Sequence, residues 1–381
     1  MDGRVVFPVR SGAVPPLADG FSARPETIPD LGAALVPGAA VALVTAAGGR
    51  DWLRPCGKTQ LAVAAAEQLW RSGGVDLLIW ITASTRASVL AGYLAASAAA
   101  LGRPPLGDGE QAAIRFVRWL GETSRRWLVV LDDLSGAASL GGLWPEGPAG
   151  TVLITAHDPA VITEADPALM PGARRARIVP VGPFSPREAL GYLTGRLASD
   201  PDQRVGGADL IEDLGYEPLA LAQATAVIAS SALSCRDYRD RFALRREQLA
   251  RKAGAPAGAT TWTLSVDLAD QLSPVTGQFL LMLGSLLDGH EIPGALFTTR
   301  AIGEYLAAEC GVPRPDPQRV WADVRTLERA GLVTVDPGRA RIVRVSPMVQ
   351  AAVRALISEP ILGRASRAAA AALLEAWPLD E

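Results

Sequence analysis

Gly57-Lys58-Thr59 is the stretch of this chain whose residue types carry the most chemistry. It follows the apolar, β-branched run Val41–Thr45 and precedes Leu61-Ala62-Val63-Ala64-Ala65-Ala66, an alanine-rich helix former. A glycine turn between a buried strand and a helix start gathers free backbone N–H groups and the positive end of the helix dipole, a setting in which an anion binds. There Lys58 reaches outer phosphates and the Thr59 hydroxyl ligates Mg²⁺. Lys58 and Lys252 are the two lysines among 37 basic residues, so a lysine at this place reads as a compact ammonium selected over arginine. The spacing is irregular. A phosphate loop asks for glycine at position 52, where Trp52 stands; Gly48 and Gly49 fall early, Ala46 replaces the first glycine, and Arg50–Pro55 is an insertion. A chance Gly-Lys-Thr at a helix start is the bland alternative.

The second pair of interest is Asp132-Asp133, at the end of the apolar run Trp127–Leu131. A carboxylate at the end of a neighbouring strand holds Mg²⁺ through water, and a further one orients an attacking water. Asp132 suits the first role and Asp133 the second. A pair of acids that merely caps a strand end is the alternative.

The elements that must position these groups follow from periodicity. Strands are expected at Val41–Thr45, Asp76–Thr82, Trp127–Leu131, Thr151–Thr155 and Arg177–Val181. Helices are expected at Ile28–Leu35, after Lys58, at Ser88–Leu101 and at Glu110–Glu122. This alternation gives an α/β fold with a parallel sheet covered on both faces. Its ligands sit beyond the carboxyl ends of the strands. From Ser185 the pattern turns helical, with Ser185-Pro186-Arg187-Glu188 as a helix start, then Ala208–Leu214 and Pro218–Ser231. After a linker, Ala253–Gly258, come helices at Leu280–Leu287 and Val320–Ala330. Two strands, Leu332–Val335 and Arg341–Val345, turn at Asp336-Pro337-Gly338 in a winged-helix pattern. A last helix runs from Ser346 through Glu375, with breaks placed at Pro360 and Gly363. The organisation expected is an irregular arm over 1–20, a P-loop domain over 21–184, a helical domain over 185–255, a winged helix over 256–356 and a C-terminal helix over 357–381.

The formal net charge of −3 and pI of 5.7 offer no global basic field for nucleic acid. Arg319, Arg325, Arg329, Arg339, Arg341 and Arg344 lie on or near the winged helix, but Asp323, Glu328 and Asp336 interleave with them, and DNA is not the expected partner. The three cysteines, Cys56, Cys235 and Cys310, suggest neither a disulfide framework nor a metal knuckle. His157 and His290 cannot make a zinc site alone. The first residues lack the apolar core of a signal peptide, and no apolar run spans a bilayer. A cytoplasmic protein without a membrane partner is expected.

Taken together, the chain resembles the NB-ARC class of STAND signal-transduction ATPases, bacterial members with a tandem-repeat sensor in particular. Phe21-Ser22-Ala23-Arg24 resembles the family's opening motif, which lies against adenine. Cys56-Gly57-Lys58-Thr59-Gln60-Leu61-Ala62 resembles Walker A, Leu128-Val129-Val130-Leu131-Asp132-Asp133 Walker B, and Gly150-Thr151-Val152-Leu153-Ile154-Thr155 the sensor strand. Leu214-Gly215-Tyr216-Glu217-Pro218-Leu219-Ala220-Leu221 resembles the Gly-Leu-Pro-Leu motif, whose proline, here Pro218, packs on the nucleotide. Val349–Arg354 resembles the segment after the winged-helix histidine, and that histidine's place falls at Ser346. His157 stands where relatives carry a sensor arginine, and Glu217 replaces a leucine.

The resemblance implies a nucleotide-operated switch that binds ADP or ATP with Mg²⁺ and opens on exchange. Opening exposes surfaces for assembly into a homo-oligomer, with hydrolysis slow or lost. The nucleotide site it implies comprises Phe21, Arg24, Gly48, Gly49, Cys56, Gly57, Lys58, Thr59, Gln60, Pro218 and Ser346. Thr59 and Asp132 are its metal residues, and Asp133 and His157 its catalytic candidates. Relatives continue into tandem repeats after a helix like Arg364–Trp377, so a protein partner is expected through a sensor absent from this chain. A non-hydrolysing nucleotide scaffold and a winged-helix transcription regulator remain alternatives.

Overall fold

The structure is a computed structural model; it describes residues 5–22, 24, 27–46, 56–103, 107–251, 259–272, 276–336 and 341–376. Gly48, Gly49, the Arg50–Pro55 insertion, Ala23, the Ala253–Gly258 linker, Arg339 and the tip of the expected hairpin lie outside the described residues. The chain divides into two compact units, 1–183 and 184–381.

The first unit is an α/β layer structure. In chain order its elements are β1 (Val9–Ser11), α1 (Thr27–Ala34), β2 (Ala40–Thr45), α2 (Lys58–Arg71), β3 (Leu77–Thr82), α3 (Arg86–Leu101) and α4 (Gly109–Glu122). They are followed by β4 (Trp127–Asp132), α5 (Ala137–Leu140), β5 (Gly150–Ala156), α6 (Ala160–Thr163) and β6 (Arg177–Val181). The six strands form one parallel sheet in the order β1-β3-β4-β5-β2-β6. Alternate residues feed separate cores on its two faces. Leu77, Ile79, Ile81, Val129 and Leu131 join one, while Leu78, Trp80, Leu128 and Val130 join the other. This is the doubly covered parallel sheet that continuous apolar strands require. Helix α2 packs against β2, β4 and β5. Strand β5 therefore lies between β2, which feeds the Lys58 turn, and β4, which carries the acids.

The arm over 1–20 is not wholly irregular. Val9, Arg10 and Ser11 pair in parallel with Leu77, Leu78 and Ile79 at the sheet edge. Three residues are too few to show a period of two, and the pairing comes from the exposed side of β3.

The second unit opens on the expected capping box. Ser185 Oγ accepts from the Glu188 amide over 3.2 Å, and Glu188 Oε2 accepts from the Ser185 amide over 2.8 Å. Helices α7 (Pro186–Arg196), α8 (Gly207–Asp213), α9 (Pro218–Ser231), α10 (Cys235–Ala250) and α11 (Ala259–Leu272) follow. Then come α12 (Thr276–Gly284), β7 (Ile292–Pro293), α13 (Gly294–Phe297), α14 (Arg300–Cys310), α15 (Pro317–Arg329), β8 (Val333–Val335) and β9 (Ile342–Val345). Helices α16 (Pro347–Leu356) and α17 (Glu359–Ala376) end the chain. The antiparallel sheet β7-β9-β8 with α14 and α15 is the winged-helix arrangement. One continuous core runs through the unit from Phe184 to Ala372, shared by the helices on both sides of residues 252–258.

The last helix is two helices. The break falls at Ile357-Ser358 rather than at Pro360 or Gly363. Pro360 sits in the first turn of α17, where its missing N–H has no intrahelical acceptor to lose. Among the described residues no single helix is long and apolar enough to cross a membrane.

Candidate functional site

The site is assembled at the carboxyl ends of β2, β4 and β5 and the start of α2. Gly57 is the N-cap of α2 with φ of 84°, in the left-handed region. A Cβ there would meet Arg24 Nη2 at an ordinary 3.7 Å, so glycine is required by backbone conformation rather than by crowding. No side chain caps the helix, and its first amides face the turn as donors.

Lys58 is 7% exposed. Its Nζ donates to Thr45 Oγ1 over 2.8 Å and lies 3.6 Å from Cys56 Sγ. Among the described residues no carboxylate lies within ion-pair distance of it. A buried ammonium held by a hydroxyl and a thiol is short of counter-charge, and burial of an unpaired ion is costly. Among the described residues nothing supplies that charge, and an anion at the start of α2 would supply it.

Thr59 Oγ1 donates to Asp132 Oδ1 over 2.9 Å, and Thr155 Oγ1 donates to the same oxygen over 2.6 Å. Asp132 is 1% exposed. The strand order explains this convergence: Thr155 lies near the carboxyl end of β5, the strand between β2 and β4. A hydroxyl and a carboxylate in contact are hard oxygen donors of the kind Mg²⁺ takes when phosphates complete its sphere. Among the described residues no group of three or more His, Cys, Asp and Glu could hold a metal alone. Thr59 and Asp132 thus fit a cation brought in with a phosphate ligand. Such an ion would supply charge neutralisation to that ligand.

Asp133 has φ of 58°, left-handed for a residue with a side chain. Its amide donates to Thr155 Oγ1 over 2.8 Å, and its Oδ1 lies 3.3 Å from His157 Nε2. The two catalytic candidates are therefore neighbours, at the mouth of the site and partly exposed.

Arg24 is buried, and its guanidinium donates to Cys56 O over 2.8 Å and Gly182 O over 2.9 Å. It ties the start of the Lys58 turn to the end of β6. Phe21 packs, half-buried, on the core beneath α2. The Gln60 side chain is engaged by the N-terminal arm, accepting from the Ala18 amide over 2.6 Å and donating to Pro16 O over 3.3 Å. Its contribution to an anion site is limited to its backbone. Pro218 and Ser346 belong to the second unit, where Pro218 is the first residue of α9 and Ser346 the N-cap of α16. Thr45 and Thr155 complete the site and were not singled out as site residues by sequence. Each is a threonine at or next to the end of an apolar strand, a signal that marks their place but not their role.

On the winged helix, the described arginines have partners within the chain. Arg325 Nη1 pairs with Glu328 at 2.6 Å, Arg319 with Asp323 at 3.5 Å and Arg344 with Asp336 at 3.8 Å. Arg341 lies over the Trp321 ring, and Arg329 Nη2 donates to Thr326.

No family model matches the chain, and no curated protein matches it. Among solved structures it is similar to the ORC2 protein of Aeropyrum pernix in ADPNP and ADP complexes, with 14% identity over 95% of this chain and 97% of that one and a TM-score of 0.43. A Walker-type ATPase of Pyrococcus abyssi gives 14% identity over 88% and 97% of the two chains and a TM-score of 0.42. The replication initiator DnaA bound to AMPPCP and single-stranded DNA gives 13%, 81% and 90%, with a TM-score of 0.39. At these scores the likeness carries no functional argument. The P-loop α/β fold rests on the strand order and on the Lys58 turn.

Proposed function

We propose that this chain is a nucleotide-operated switch that binds ADP or ATP with Mg²⁺ at the Lys58 turn. The observation that carries the reading is the buried Lys58 ammonium, without a carboxylate partner among the described residues, at the uncapped start of α2. Phosphates supply the missing charge. Lys58 and the amides of α2 bind them, Thr59 and Asp132 hold the cation, and Thr155 keeps Asp132 aimed. Arg24 positions the turn. The segments 185–255 and 256–356 act as helical and winged-helix modules, and opening leads to self-assembly. The energy for opening comes from contacts that favour one nucleotide state over the other. A protein partner, rather than DNA or membrane, receives the signal; the net charge of −3 and the acids interleaved with the winged-helix arginines support that choice. Cytoplasmic placement belongs to the same reading.

A second reading, a scaffold that keeps its nucleotide without turnover, is favoured by Asp133. Its side chain is already beside His157 and its backbone is fixed by Thr155, which limits how freely it can orient a water. The two readings separate in one experiment. Sedimentation velocity is measured on the ADP-loaded and ATP-analogue-loaded protein. A switch gives a larger or assembled species with the triphosphate analogue only. A scaffold gives identical profiles in both.

A further inference from the structure

At the end of the sheet opposite the Lys58 turn lies a cavity of about 290 Å³. Its walls come from the loop entering β2 (Val36, Gly38, Ala39), from Trp144-Pro145-Glu146-Gly147, from the starts of β4 and β5, and from Gly172, Arg175 and Arg177. All of these belong to the first unit. Nothing in the proposed nucleotide chemistry uses it.

Three features mark it as a built site. The first is Trp144, 5% exposed, whose indole N–H donates to no acceptor among the described residues. The nitrogen is packed over Gly172, where a Cβ would overlap it. A tryptophan buried this far usually places its N–H on a partner, as Trp127 does on Leu120 O over 2.8 Å. The second is the lining. Alanines and glycines make much of it, and Gly150 is a glycine because a side chain there would collide with Trp127. The third is the rim. It carries two arginines and one acid, with Arg175 ion-paired to Glu146 over 2.9 Å in an exposed bridge. Such a bridge is weak and readily exchanged, so a guanidinium can turn to a stronger partner.

We propose that this cavity is a second ligand site, for a small molecule carrying a carboxylate. The ligand's body lies against the small residues of the lining, the Trp144 N–H donates to an acceptor on the ligand, and Arg175 and Arg177 take the carboxylate. A guanidinium fork matches a carboxylate in two parallel hydrogen bonds. The mix of an apolar lining and a few fixed polar groups is that of small-molecule sites. Neutral ligands of the same shape lose the arginine contacts and bind more weakly.

The test follows the indole N–H signals of the full chain by ¹⁵N-correlated NMR while benzoate, and separately benzamide, is added. Trp144→Phe assigns the Trp144 signal. The expected result is a saturable shift of that signal with benzoate, a weaker one with benzamide, and roughly tenfold weaker benzoate binding in Arg175→Ala/Arg177→Ala. These arginines lie on the surface, so the double variant keeps the test valid should Trp144→Phe fold poorly. The proposal is overturned if the Trp144 signal does not move, if benzamide matches benzoate, or if the double variant binds benzoate as wild type does.

Discussion

The Thr59 hydroxyl donates to Oδ1 of Asp132 across 2.9 Å, joining the helix that begins at Lys58 to the end of β4. A second hydroxyl, from Thr155, lands on the same oxygen. Asp132→Asn keeps an acceptor for both hydroxyls but loses the charge that a cation needs. It should retain the wild-type melting temperature and lose most of the Mg²⁺ enhancement of ATP binding in calorimetry. Asp132→Ala should also lose about 1–3 kcal/mol of stability, because the buried Thr155 hydroxyl and the part-buried Thr59 hydroxyl are left without their acceptor. Equal Mg²⁺ dependence in wild type and Asp132→Asn would leave the pair as a strand-end cap.

Lys58→Met removes a buried cation and retains much of its apolar stem. Replacing a buried ion by an apolar group is often neutral or stabilising. In nucleotide-free protein the variant should melt at or above the wild-type temperature. A marked drop would mean that Lys58 serves the fold rather than a ligand.

Asp133 combines a left-handed backbone with a side chain 3.3 Å from His157. Holding a residue with a Cβ in that region costs about 1–3 kcal/mol. Asp133→Gly should therefore gain roughly 1 kcal/mol in denaturant titrations while losing any ATP turnover and keeping ADP affinity. Loss of stability would place the Asp133 side chain among the structural contacts.

Acid stability of the first unit should depend on Asp76. Its carboxylate accepts from the Arg126 backbone amide, Nε and Nη2 over 3.0, 3.3 and 2.7 Å. The Arg126 side-chain hydrogen bond comes first among the causes holding its pKa below the ordinary 3.8. A depressed folded pKa contributes stability that is present above the unfolded value and lost as pH falls through the folded one. The gap in melting temperature between wild type and Asp76→Asn should be constant above about pH 5 and close below pH 3.8. A gap unchanged down to pH 2 would remove the ion pair from the account.

Much of the site was legible because its residues are adjacent to strand ends that apolar runs reveal. Lys58, Thr59, Asp132 and Asp133 all announce themselves in this way. Thr155 and Thr45 were harder, since their roles depend on strand order, and the sequence does not say that β5 lies between β2 and β4. The roles of Arg24 and Gln60 also lay beyond it: a guanidinium on two carbonyls and an amide on the arm are tertiary facts. In the fold, β1 and β7 escaped notice because strands of three and two residues have no period. Helix α11 was hidden by Thr260, Thr261 and Thr263, which favour strands; burial of Trp262, Leu264 and Leu268 decides it as helix.

The central claim is that Lys58 holds a nucleotide. The most direct measurement denatures freshly purified protein and identifies what is released by chromatography, for wild type and Lys58→Ala side by side. The account predicts ADP, close to one per chain, from wild type and none from the variant. A wild-type protein that releases no nucleotide and takes up neither ADP nor ATP in calorimetry, or a variant that releases as much as wild type, would contradict it.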